Sequence, residues 1–163
     1  MTDNHEIVRS ALEAYTDRGL FRGLSPAIVQ ANSASFKVLW HYSRTLNLRV
    51  DYDAGTMVFE NVLPDVPTTS PMYRELVTFV ANLTSDEIPV HRRVDRSLAV
   101  LACENVNGDA SIHLTLTGSD YKYATQKLVQ TVHEVYLDFL ISGPYYEYMV
   151  GTLGLNPDTV SFA

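Results

Sequence analysis

Hydrophobic residues in this chain change period several times, and each change marks an element. Ile7, Ala11, Leu12 and Tyr15 recur at intervals of three and four behind Asp3 and Glu6, which have capping-box spacing. The pattern predicts a first helix over about 5 to 17, closed by Gly19 and Gly23. Ser25-Pro26 is a cap followed by proline at a first helical position, and Phe36, Leu39, Trp40 and Ser43 then form a helical face. A second helix is therefore expected over about 26 to 46. Phe36, Val38, Trp40 and Tyr42 also alternate as a strand would, but no turn signal separates Tyr42 from Leu46, so the helix is preferred.

Period two takes over at Leu48. Segments 48–53 and 56–63 read as two strands joined at Ala54-Gly55, a register that sets Tyr52 opposite Met57, Val50 opposite Phe59 and Arg49 opposite Glu60. One face is then apolar and the other carries a cross-strand ion pair. Ser70-Pro71 repeats the cap signature ahead of Met72, Leu76, Phe79, Val80 and Leu83, which predicts a helix over about 71 to 83.

Asn107-Gly108 is the strongest hairpin signal, because both central positions of a type I′ turn need positive φ. Counting outward pairs Cys103 with Ile112, Leu101 with Leu114 and Ala99 with Leu116. The opposite face mixes Glu104, His113, Thr115 and Thr117 with Ala102, Val100 and Leu98. Ser119-Asp120 then caps a long helix whose apolar side runs from Tyr121 through Leu128, Val132, Val135 and Tyr136 to Phe139 and Leu140. Gly143 stops it, and Pro144 opens a short helix to about 152, followed by a tail over 154–163 expected to be loosely ordered. The order ααββαββαα implies one α+β domain over 1–163, in which an antiparallel sheet of two hairpins is packed by helices. No residue-level repeat links the two hairpin-plus-helix units.

Length and composition agree with a chain folded throughout: 163 residues, 46% hydrophobic and 19% charged. Nineteen acidic residues against twelve Lys and Arg give a net charge of -7, and the densest basic stretch, His91-Arg92-Arg93, runs at once into Val94-Asp95. Such a surface repels a phosphate backbone, so no nucleic-acid partner is expected. Cys103 is the single cysteine, which excludes an intrachain disulfide and a cysteine-rich zinc site. No signal-like N-terminus and no apolar run of spanning length is present, so the expected setting is cytoplasmic, without a membrane partner. The sequon Asn82-Leu83-Thr84 carries no weight in that setting.

Few residues offer chemistry. His133-Glu134 begins like a zinc-protease motif, but Leu137 stands where the second histidine is required. Asp51-Tyr52-Asp53-Ala54-Gly55 resembles the start of a calcium loop with its glycine one position early, and reads better as a turn. No cofactor and no metal is expected. Cys103 belongs to an apolar face, where a shielded thiol is a poor nucleophile. His113 points to the opposite face with Thr115, and with Arg49, Glu60 and the His91-Arg92-Arg93 run it forms the candidate ligand-binding set, since arginine forks suit carboxylates and phosphates. A solvated sheet face and loop charges account for the same residues. Tyr145, Tyr146, Tyr148 and Met149 crowd the last helix with residue types enriched in interface cores. The resulting expectation is a non-enzymatic protein-binding or adaptor module acting as a homo-oligomer, a dimer, with a possible protein partner. The alternative is a small-ligand binder or enzyme with a sheet-face pocket around His113.

Overall fold

In the computed structural model, which describes residues 4–25, 27–40 and 44–155, the sheet is larger than the two expected hairpins. Its strands are β1 (Gly23–Leu24), β2 (Ile28–Val29), β3 (Ser33–Trp40), β4 (Arg44–Asp51), β5 (Thr56–Leu63), β6 (Ala99–Val106) and β7 (Asp109–Leu116). All neighbours are antiparallel, in the order β1-β3-β4-β5-β7-β6, with β2 also on β3. The helices are α1 (Asn4–Asp17), α2 (Pro71–Asn82), α3 (Tyr121–Glu134), which continues as a π-helical stretch over Val135–Ile141, and α4 (Tyr146–Gly151). The chain is an α+β protein.

The helix expected over 26 to 46 is not formed. Ala34, Phe36, Val38 and Trp40 are buried at every second position of β3, and β4 repeats the pattern with Leu46, Leu48 and Val50. The period-two reading wins because aromatic and β-branched residues gain most on a pleated, half-buried surface, and eight paired positions between β3 and β4 supply that surface. The connection at 41–43, whose turn chemistry decided the expectation, lies outside the described residues.

The β4–β5 hairpin differs from its expected register by two residues: Val50 faces Met57 and Leu48 faces Phe59. The loop is Tyr52 to Gly55 rather than Ala54-Gly55. Asp51 holds it, its Oδ1 accepting from the amides of Asp53 and Ala54, both at 3.0 Å, and Gly55 takes the positive φ of 67°. Alanine resists positive φ, so a two-residue turn at Ala54-Gly55 is disfavoured. A shift of two keeps every side chain on its own face, and Arg49 still reaches Glu60 diagonally at 3.4 Å. The β6–β7 register matches expectation at Cys103 with Ile112, Leu101 with Leu114 and Ala99 with Leu116, and Asn107 and Gly108 have φ of 54° and 92°.

One face of the sheet is covered by helices. α3 lies against β5, β7 and α1, while α2 lies against β6. Phe36, Trp40, Leu48, Met57, Phe59, Ile112, Leu128 and Tyr136 share one continuous buried core. Asp120 caps α3 by accepting from the Tyr123 amide at 3.0 Å, and Ser70 caps α2 through the Tyr73 amide at 3.2 Å. In the segment 154–163, expected to be loosely ordered, Leu155 is buried and its amide donates to the Met149 carbonyl at 2.9 Å; residues 156–163 lie outside the described residues.

Candidate functional site

The face of the sheet away from the helices carries the polar residues, and the strand registers place them in rows. Ser35, Arg49, Val58, His113 and Ala102 stand side by side across β3, β4, β5, β7 and β6. Ser33, Asp51, Thr56, Thr115 and Val100 form the row beside it. Four of the expected ligand residues, Arg49, Glu60, His113 and Thr115, therefore share one face.

Their polar groups largely satisfy one another. Asn47 donates to Glu60 at 2.5 Å and accepts from the Ser35 hydroxyl at 2.9 Å, while Arg49 lies 3.4 Å from the same carboxylate. His113 Nε2 is 3.8 Å from Glu104 Oε1. Arg49 and His113 are separated by Val58, about 10 Å at ordinary strand spacing. A shallow depression of about 380 Å³ lies toward the β2 end of this face, lined by Ile28, Gln30, Ser33, Arg49, Asp51 and Thr56 among others. His113 is not part of its lining.

His91, Arg92 and Arg93 are elsewhere, on the loop between α2 and β6. Arg92 pairs with Glu134 at 2.9 Å and Asp138 at 3.5 Å; Arg93 donates to the carbonyls of Ile88 and Asp86. The His91 carbonyl accepts from Lys127 at 3.2 Å. These contacts tie the loop to α3 and do not bring the run to the sheet face. Burial of Cys103 pushes its thiol up to about 12, as the apolar-face assignment implies. Among the described residues no group of three or more His, Cys, Asp or Glu is placed to hold a metal ion, and no helix is long and apolar enough to cross a membrane.

The expected interface on the last helix is mostly internal. Met149 is buried, Tyr145 stacks on Phe139 with ring centroids 4.8 Å apart, and Tyr148 donates to the Pro64 carbonyl at 2.5 Å. Burial pushes the Tyr148 phenol well above its ordinary pKa. Only Tyr146, 54% exposed, faces outward. The helix is too short to be held except through these contacts, so its own core takes them first.

The sheet edges hold what the sequence did not reveal. At one edge β1 and β2 run along β3 as a broken strand: Leu24 faces Val38 and Ile28 faces Ser35, a register offset of one residue, and in the sequence between them stands a proline, which has no amide donor. Breaks, bulges and proline are the usual protections of an edge. At the other edge β6 is eight residues long, continuously paired to β7, and contains no Pro, Gly, Lys or Arg. Residues flanking a two-residue type I′ turn are a hydrogen-bonded pair, so Val106, Glu104, Ala102 and Val100 bond to β7. Leu101, Cys103 and Asn105 turn their N–H and C=O groups away from the sheet. Among the described residues, no backbone bond outside the sheet takes these groups up, whereas the Ala99 amide donates to the Asp95 carbonyl at 3.0 Å.

No family model, no curated protein and no solved structure matches this chain.

Proposed function

We propose that this chain is a non-enzymatic protein-binding module that acts as a homodimer, with the β6 edge as its contact surface. The observation that carries the reading is the difference between the two edges: one is broken by a register offset between Leu24 and Ile28, the other is regular and offers backbone groups that no described residue takes up. Exposed side chains extend the surface. Val100 and Val106 flank the edge on the open sheet face, and Val77 of α2 flanks it on the helical face. The setting is a reducing cytoplasm, where the lone Cys103 stays a thiol.

Light scattering on the purified protein at micromolar concentration is expected to give twice the 18.3 kDa chain mass. A Cys103→Pro variant removes one outward donor without touching the β7 ladder and is expected to run as a folded monomer. A monomeric wild type refutes the reading. A dimeric wild type whose Cys103→Pro variant stays dimeric moves the contact away from β6.

A second reading takes the open sheet face as a small-ligand site, favoured by the depression in which Arg49 and Asp51 stand beside Thr56 and Gln30. Native mass spectrometry of protein from its own host tests it, since a stoichiometric small-molecule adduct lost on Arg49→Ala supports a pocket and its absence removes it.

A further inference from the structure

We infer that two copies join β6 to β6 antiparallel about a two-fold axis at Cys103, so that Ala102 of each copy faces Glu104 of the other. The inference rests on the homodimer reading and adds its register.

Three observations select this register. Antiparallel partners must both present their groups to the shared edge, so odd-numbered residues of β6 pair with odd-numbered ones and the axis falls on a residue. Because the Ala99 amide is already engaged, the free edge is Leu101, Cys103 and Asn105, whose centre is Cys103. An axis there pairs Leu101 with Asn105 of the second copy, Cys103 with its own counterpart, and Asn105 with Leu101, using every free edge position. Moving the axis to Ala102 leaves Asn105 facing the occupied Ala99, and moving it to Glu104 sets two carboxylates face to face.

The side chains fit the same register. On the open face Val100, 46% exposed, meets Val106, 57% exposed, on both sides of the axis, and the small Ala102 leaves room for Glu104. On the helical face Tyr73 and Val77 lie on the flank of α2 away from Phe79, which packs toward Phe139. The two copies of that flank then lie on either side of the axis and cover each other's Val77, 42% exposed.

The register predicts a charge-swap rescue. Ala102→Glu places a second carboxylate opposite Glu104 twice per dimer and is expected to weaken dimerisation about tenfold. Glu104→Lys alone meets Ala102 and leaves the dimer intact. Ala102→Glu combined with Glu104→Lys sets Glu against Lys across the axis and is expected to restore wild-type dimerisation. Sedimentation equilibrium reads the constants, and far-ultraviolet circular dichroism verifies that each variant is folded. A dimer indifferent to Ala102→Glu, or one the double variant fails to restore, overturns the register and leaves the homodimer reading standing. A wild type that never dimerises overturns both.

Discussion

Replacing Tyr136 by Phe isolates a buried polar contact at the end of β5. Between Phe59 and Leu63, a stretch that holds Asn61 at a positive φ of 52°, the β5–β7 pairing is irregular: two positions of β7 span four of β5. The Val62 carbonyl at this bulge accepts from Arg44 at 2.6 Å and from the Tyr136 hydroxyl at 2.7 Å, and Arg44 also donates to the Tyr136 oxygen and to the Asn61 carbonyl. Among the described residues Tyr136→Phe removes two hydrogen bonds, one of them charge-assisted, yet Val62 and Arg44 keep other partners. The cost is therefore about 1–2 kcal/mol rather than the larger penalty of an orphaned group. An unfolding entropy of about 2.1 cal/mol/K per residue gives about 0.34 kcal/mol/K for this chain, so the variant should melt about 3–6 °C lower. Fluorescence of the single, buried Trp40 during urea unfolding measures the difference. Burial raises the Tyr136 phenol above its ordinary value. The unfolded chain ionises first, so wild-type stability falls as pH rises above about 10, and the variant lacks that share of the loss. The gap between the two should narrow in alkali. A gap that is absent at pH 7, or that widens above pH 10, refutes the argument.

Gly143→Ala brings a Cβ to within 2.5 Å of the Phe139 carbonyl oxygen and 2.8 Å of the Tyr145 ring, so the turn into α4 must shift; a loss of about 1–3 kcal/mol is expected in thermal unfolding, and a neutral variant contradicts the packing. His133 stacks on Trp40 with ring centroids 6.2 Å apart, and burial lowers its pKa. Its neutral form is favoured in the fold, so stability is held above about pH 6.5 and falls as pH drops, a slope that His133→Gln should flatten between about pH 7 and 5 in urea titrations.

Legibility in the sequence followed the range of the interactions. The β6–β7 register was readable because Asn107-Gly108 admits one turn type and thereby fixes every pair beyond it. The caps of α2 and α3 were readable because Ser70 and Asp120 bond within three residues of themselves. The strand at 33–40 was not, because its stability comes from pairing with β4 and from a core shared with α1 and α3, which outweigh a local cap signature at Ser25-Pro26. Placing Arg49, Glu60, His113 and Thr115 on one face needed only strand parity, which a register error of two leaves intact. Placing the β6 edge needed the strand order, and no local pattern states that β7 rather than β6 lies beside β5.

The two edges together explain why assembly on the proposed reading would stop at two. A regular free strand joins whatever edge accepts it, and a head-to-tail contact between unlike edges would propagate as a filament. Among the described residues the only other edge is the β1–β2 segment, whose register against β3 shifts by one residue between Leu24 and Ile28, with a proline, which lacks an amide donor, in the sequence between them. On the proposed reading, β6 of one copy therefore finds, among the described residues, no regular template on another copy except a second β6. That contact is its own complement, consumes both free strands and leaves two blunted ends outward. Changes that remove the register offset between Leu24 and Ile28, such as Pro26→Val with deletion of Ala27, should convert a closed dimer into concentration-dependent higher assemblies in light scattering. Persistence of the dimer at every concentration would show that β1 and β2 do not act as the guard.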